Sequence, residues 1–287
     1  MKTTVEIGRP PVLTTVEIGG RPVRVDLSAP LSLALELDFA GAQPQHFGAP
    51  PATTRPYAVA GFSGSVATGA SCNCSVVSLV PHCNGTHTEG VGHLTREPFD
   101  AYPLAPPGPV PAVLVSVKAV PAPAALAAGE TTDPTPHAGD TLITRRSLEQ
   151  AWTLDPAWRA QALVIRTGYG IQPAGVSGPL RPGSPPYLTR SAAAFLVERH
   201  IEHLLVDLPS LDREHDEGRL TAHRAFFGLP AGSHSLSDAT RRNATVTELA
   251  SIPADIVDGS YLLSIQVPAW RGDAVPSRPL LYPLIAP

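Results

Sequence analysis

Three imidazoles, a thiol and a carboxylate fall within twelve residues in the stretch His82-Cys83-Asn84-Gly85-Thr86-His87-Thr88-Glu89-Gly90-Val91-Gly92-His93. Together they make a ligand set suited to zinc or a similar first-row metal. Glycines at 85, 90 and 92 allow tight turns that aim several side chains at one point. The same residues admit a second chemistry, with Cys83 as nucleophile and His82, His87 or His93 as its base. In a third reading the metal is structural and nothing is turned over, because a closed four-ligand site lacks the open position that catalysis needs.

The elements around the cluster must hold it rigidly. Ser75-Val-Val-Ser-Leu-Val80 predicts a buried strand that delivers the cluster at its end, where loops on a scaffold carry function. Residues 40–70, rich in Gly, Pro, Ala and Thr, read as a long loop able to cover a site. Ala112–Val120, Asp140–Ile143, Gln161–Gly168 and His203–Leu208 read as strands. Ser147–Trp152 opens a helix, and Thr189–His200 is a helix with Thr189 as its cap. Strand, helix and strand in that order predict a βαβ unit with parallel strands. Ser260–Val267 alternates as a late strand with one solvated face. Thr3-Thr-Val-Glu-Ile-Gly8 and Thr14-Thr-Val-Glu-Ile-Gly19 repeat one another and suggest hairpin strands, or a start-site artefact, followed by a strand over Val23–Ser28. The fold class is α/β, mixed β-sheet with a few packed helices.

At 287 residues, with 43% hydrophobic and 16% charged side chains, the chain can bury a substantial core and is not a disordered one. A net charge of -4 gives no case for nucleic acid or an anionic membrane as partner. No apolar run approaches the ~20 residues of a membrane span, no export signal is evident, and the cytoplasm is the expected location. Cys72, Cys74 and Cys83 are odd in number and too clustered for a disulfide framework, so reduced thiols are expected. Of the remaining histidines, His215 and His234 read as solvated loop residues. His200 and His203 sit at a helix end and a strand start, where packing or a helix-dipole contact explains them. His223 follows the acidic stretch Asp207-Leu-Pro-Ser-Leu-Asp212, and Glu248 lies in a short helix or strand beyond an irregular insert.

The cluster Cys83-Asn-Gly-Thr-His87-Thr-Glu89-Gly-Val-Gly-His93 resembles the His-x-Gly-Thr-His-x-Asp-x-Pro-x-His signature of the cyclase or kynurenine formamidase-like metal hydrolases. Asp26-Leu-Ser28 is similar to that family's opening, Leu163–Gly168 to its central strand, and Asp207–Asp212 with Ala222-His223 to its later segments. Glu248-Leu249 and Pro276-Ser277-Arg278 resemble its closing ones. The resemblance runs from residue 23 to 287 and leaves 1–22 as an N-terminal strand or hairpin extension. It implies a swivelling β/β/α-type single domain that assembles as a homodimer or homotetramer. It also implies one or two metals, zinc or manganese, and hydrolysis of an amide, lactam or lactone in a small-molecule substrate. By position it makes Cys83, His87, Glu89, His223 and Glu248 the metal ligands and His93 the proton-transferring histidine. Cys83 stands where the family has histidine, with His82 one place away, and a thiolate there would favour zinc. Glu89 replaces an aspartate able to bridge two metals, and Val91 replaces a proline.

Overall fold

Three apolar segments, Val110–Ser116, Ala162–Arg166 and His203–Val206, pair side by side with the more polar Thr245–Glu248 as the parallel centre of the sheet. The computed structural model describes residues 10–152, 158–170 and 184–285. In chain order its main sheet contains β1 Leu13–Ile18, β2 Arg21–Asp26, β3 Leu31–Ser32, β4 His87–Glu89, β5 Val110–Ser116 and β6 Ala162–Arg166. It continues with β7 His203–Val206, β8 Thr245–Glu248, β9 Gly259–Gln266, β10 Ala274–Pro276 and β11 Arg278–Ile285. Their order across the sheet is β1-β2-β11-β9-β5-β6-β7-β8-β4-β10, with β3 also on β11. The pairs β5–β6, β6–β7 and β7–β8 are parallel, and all the others are antiparallel.

A parallel strand needs cover on both faces, which is why these segments read as nearly unbroken apolar runs. Because successive side chains alternate, Val113, Val115, Leu163, Ile165, Leu204 and Val206 enter one core. Ala112, Leu114, Ala162, Val164 and Leu205 enter the other. Helices α1 Pro81–Asn84, α2 Ala122–Ala127, α3 Arg145–Ala151, α4 Arg190–Glu198 and α5 Thr221–Phe227 lie in the connections. Residues of α3, α4 and α5 pack into the first core, led by Leu148, Phe195, Leu196, Phe226 and Phe227. Each fully buried side chain of this size is worth roughly 1.5–3 kcal/mol. Thr189 does cap α4, its hydroxyl accepting from Ala192 N at 3.2 Å.

Several local expectations are revised. Ser75–Ser78 is a strand but not a buried one; it pairs with Thr53–Pro56 in a hairpin that leaves the body of the molecule. The 40–70 stretch is therefore partly regular, contributing Thr53–Pro56, Ala58–Val59 and Phe62–Ser63. β9 has no solvated face along its centre: Tyr261, Leu263 and Ile265 join one core and Leu262 another. The second Thr-Thr-Val-Glu-Ile copy lies in β1 and pairs with Arg21–Asp26; the first copy lies outside the described residues. No helix among the described residues is long and apolar enough to cross a membrane.

Candidate metal centre

β4 places His87 and Glu89 two residues apart, so both side chains leave the same face of the sheet. Between them, Thr88 points the other way and its hydroxyl meets that of Thr247 at 2.7 Å. The antiparallel register sets Glu248 of β8 directly opposite His87. All three are buried, His87 and Glu89 on β4, which β8 and β10 flank, and Glu248 on β8. His223 arrives from α5 with its Nε2 3.0 Å from Glu89 Oε1 and 3.2 Å from Glu248 Oε1. His87 Nε2 is 3.5 Å from Glu248 Oε2 and 3.9 Å from Glu89 Oε2. Four of the six residues expected from the sequence are thus brought to one buried point.

Each buried imidazole is held by its other nitrogen. His87 Nδ1 donates to the Gly85 carbonyl at 3.0 Å, and His223 Nδ1 donates to Asp212 Oδ2 at 2.7 Å. Such a bond fixes the tautomer and leaves Nε2 as a free lone pair facing inward. Asp212 also accepts from the amides of Ala222 and His223, at 2.7 and 3.1 Å, and so supplies the N-terminal cap that Leu220 cannot give α5. Glu248 Oε1 accepts from Leu211 N at 2.8 Å.

What the centre lacks is internal satisfaction. His87 Nε2, His223 Nε2 and both carboxylate oxygens of Glu89 are buried and have no hydrogen-bond partner while the imidazoles are neutral; only added protons on His82 and His223 would pair the Glu89 oxygens. Leaving a buried polar atom unpaired costs about 1–3 kcal/mol, more when it is charged. Four such atoms converging at one spot fit a divalent cation as their common partner. The donor atoms fall into two groups, His87–Glu89–Glu248 and His82–Glu89–His93, each within 4.8 Å. Glu89 belongs to both.

His82, not Cys83, occupies the remaining position near Glu89. Its Nδ1 lies 2.9 Å from Glu89 Oε2 and its Nε2 3.0 Å from Asp273 Oδ2. Adjacent residues in the short helix α1 point about 100° apart, so only one of the two can face the centre. Cys83 lies on the wall of the adjoining cavity, outside both donor groups. Burial, and then the charge of Glu248, raise its thiol pKa, opposite to what a nucleophile requires. His93 stands on a short 3-10 turn, Val91–Leu94, whose Val91 is fully buried. Its Nδ1 is 3.5 Å from Asp273 Oδ2, and its ring lies 4.3 Å from that of His82. A side chain at Gly92 would overlap the Phe99 carbonyl oxygen, so the turn that presents His93 needs glycine there.

The charges compensate one another. Burial opposes ionisation of Glu89, but His93, His223 and His82 hold its carboxyl well below the usual range. Burial likewise opposes the His82 imidazolium, yet Asp273 and Glu89 outweigh it and push its pKa up to about 10. His223 is raised in the same way: burial is overcome by Glu89, Asp212 and Glu248. Without a metal, protons on these rings neutralise the carboxylates. Asp273, which reading the sequence did not single out, is held far below its ordinary value, chiefly by its bond to His82 and by His93.

A cavity of about 350 Å³ opens beside the centre. His82, His93, His223 and Glu248 face it, and Phe47, Val80 and Leu220 form its apolar wall. The loop bearing Phe47 is held by Asn84, whose side-chain amide donates to the carbonyls of Pro44 and Pro50. His46, next to Phe47, has its pKa lowered, first by burial. The other histidines lie elsewhere. His203 bonds Thr245 in the core, His234 bonds the Leu94 carbonyl, and His200 and His215 are exposed. Asp207 ties the end of β6, accepting from Thr167 and Gly168.

Residues 25–213, about two thirds of the chain, match the family model Cyclase, described as "Putative cyclase". The chain belongs to the Cyclase family. Solved structures of similar fold include one described as a predicted metal-dependent hydrolase from Bacillus stearothermophilus, 14% identical, with a TM-score of 0.54. That alignment covers 88% of this chain and 98% of the other. A potential metal-dependent hydrolase with cyclase activity gives 14% identity and a TM-score of 0.56, covering 88% and 97%. Isatin hydrolase A from Labrenzia aggregata, bound to benzyl benzoate, gives 15% and 0.54, covering 88% and 93%. At these identities the likeness concerns the Cyclase fold itself. A search of curated proteins finds no match. His223, Glu248 and Asp273 all lie beyond the matched segment and join the centre through the sheet and α5.

Proposed function

We propose that this protein is a metal-dependent hydrolase that cleaves an amide, lactam or lactone bond of a small molecule, with chemistry of the kynurenine formamidase type. The observation that carries the reading is the set of four buried, unbonded donor atoms on His87, Glu89 and His223 beside an open cavity. His87, Glu89, His223 and Glu248 would hold the metal. His82 takes the place anticipated for Cys83 beside Glu89. With sulfur outside the set, imidazole and carboxylate suit zinc and also manganese. A bound metal of this kind polarises a substrate carbonyl and lowers the pKa of water.

The protein's own groups supply the rest. Asp273 faces His93 Nδ1 and leaves Nε2 as the atom that takes a proton from the attacking water and returns it to the leaving group. Asp212 and the Gly85 carbonyl keep the two buried imidazoles in the tautomer that presents Nε2. Phe47, Val80 and Leu220 offer an apolar surface for a ring. A neighbour of the same fold is an isatin hydrolase, which makes a lactam a first choice of probe.

The protein works as a homodimer or homotetramer. Its three free cysteines, two of them exposed, suit the reducing cytoplasm. The test is turnover of an N-formyl anilide, a lactam and a lactone by metal-reconstituted protein, before and after chelation. Activity should vanish with the metal, and His93→Ala should lose turnover while the His87 group keeps its ion. Activity that survives complete metal removal overturns the reading.

A further inference from the structure

A second cavity, of about 540 Å³, adjoins the metal-centre cavity and takes no part in the chemistry above. Its size is that of a small-molecule site. One wall is Arg224, only 6% exposed and next to His223 on α5. Arg224 Nε donates to the Arg219 carbonyl at 3.0 Å, and Nη1 donates to the carbonyls of Pro230 and Ser233 at 3.1 and 2.6 Å. Nη2 has no acceptor among the described residues and stays open to the cavity. Carbonyls satisfy N–H groups but carry no countercharge, and burying a charge without one is costly. Burial lowers the Arg224 pKa, and the charges of Asp212 and Asp216 do not make up the difference. The guanidinium nonetheless stays cationic.

Two more guanidiniums line the same cavity. Arg190, exposed at the start of α4, has no ion pair among the described residues. Arg219 meets only Asp133 and Glu217, at 3.9 and 4.0 Å, and those carboxylates are 66% and 69% exposed. Pairs so long and so solvated are worth little. In a chain of net charge -4, three arginines thus converge on a cavity whose buried end has no anion of its own. A guanidinium fork matches the oxygens of a carboxylate or a phosphate. Leu229 and Pro230 add an apolar wall for a small carbon skeleton.

The segment 216–220 separates the two cavities. Asp216, Gly218 and Leu220 line the one at the metal centre, and Glu217, Gly218 and Arg219 line the other. Glu217 and Leu220 hold φ at 59° and 48°, a conformation side chains rarely adopt. The Asp216 carboxylate keeps the turn by accepting from Gly218 N and Leu220 N at 2.9 and 2.6 Å. We infer that the second cavity binds a small-molecule oxyanion, carboxylate or phosphate, across Arg190, Arg219 and Arg224, and that this occupant braces the segment 216–220 that walls the metal centre. The inference goes beyond the hydrolase reading and does not require it.

Titration calorimetry on the full chain tests it, with inorganic phosphate and succinate as separate probes at about 0.15 M ionic strength. Probe concentrations up to about 20 mM register a millimolar Kd. At least one probe should bind; phosphate alone marks a phosphorylated ligand and succinate alone a carboxylate. Arg190→Gln removes an exposed side chain that no protein group pairs with, so the fold should stand while affinity falls by ~10-fold or more. Arg190 lies outside the metal centre, so the same variant separates this cavity from phosphate held on a metal. No binding of either probe, or an Arg190→Gln affinity within about two-fold of wild type, overturns the inference. Hydrogen exchange reads the second half: amides of 217–220 should exchange more slowly with the probe bound, and unchanged exchange there refutes the bracing. Neither readout uses turnover, so the hydrolase reading can fail while this one stands.

Discussion

Replacing Asp212 by asparagine separates the support of the centre from the centre itself. The Asp212 carboxylate accepts three hydrogen bonds, from the amides of Ala222 and His223 and from His223 Nδ1. Asparagine has one acceptor oxygen and one donor nitrogen; its oxygen can keep the Ala222 amide, bonded to Oδ1, while its nitrogen takes the Oδ2 position that faces both His223 N and His223 Nδ1. Its amide nitrogen then faces His223 Nδ1 and forces that atom to accept. The proton moves to Nε2, the atom that would ligate the metal, so the substitution puts the imidazole in the wrong tautomer with the backbone in place. Loss of a carboxylate behind a ligating histidine typically weakens metal binding by about 10–100-fold, or ~1.4–2.7 kcal/mol. Because one of the two cap bonds is kept, the loss of apo-protein stability should be about 1–2 kcal/mol. Chelator competition gives the metal affinity, and urea unfolding of the metal-free protein gives the stability. Affinity within about two-fold of wild type would refute the orienting role of Asp212. An apo protein destabilised by several kcal/mol would show that the residue acts on α5 and only indirectly on the metal.

Metal uptake should release protons, because the raised pKa values of His82, at about 10, and His223 leave both rings protonated at neutral pH without metal. Affinity should therefore rise with pH from 6 through 9; titration calorimetry in buffers of different ionisation enthalpy measures the release, and zero protons would contradict the charge assignment. His203 is buried neutral, with its pKa lowered to about 4 by burial alone. The unfolded chain binds the extra proton, so this contribution is whole above pH 6.5 and is lost as pH falls to about 4, by roughly 3 kcal/mol. Urea midpoints for wild type and His203→Gln should converge over that window, and parallel curves would exclude His203 as the source. Gly92→Ala should push the His93 turn away from Phe99, lowering kcat with a smaller effect on metal content at the His87 group; unchanged kcat would show that the turn has room.

Much of the centre could be read from residue types close together in sequence, and the rest depends on the fold. The unbroken apolar runs of β5, β6 and β7 announced a parallel sheet because cover on both faces removes any polar alternation. His87 and Glu89 were legible from residue type and from the likeness to the family signature, but the glycines around them predict a loop, and the strand that sets them on one face came only with the fold. His82 and Cys83 could not be separated, since the phase of a four-residue helix is set by what it packs on. Asp273 carries no local signal: it reaches His82 and His93 because its carbonyl accepts from Gly90 N and β10 pairs with β4. Ser75–Val80 reads as buried for a physical reason too. It is uncharged and β-branched like a core strand, but its strand pairs only with the equally exposed Thr53–Pro56 among the described residues.

Elemental analysis of untagged wild type, Cys83→Ser and His87→Ala shows whether the metal is held by imidazole and carboxylate without sulfur. Stoichiometric zinc or manganese is expected in the wild type, with the same content in Cys83→Ser and loss in His87→Ala. No metal in the wild type after reconstitution, or metal lost from Cys83→Ser and kept in His87→Ala, would contradict that ligand set.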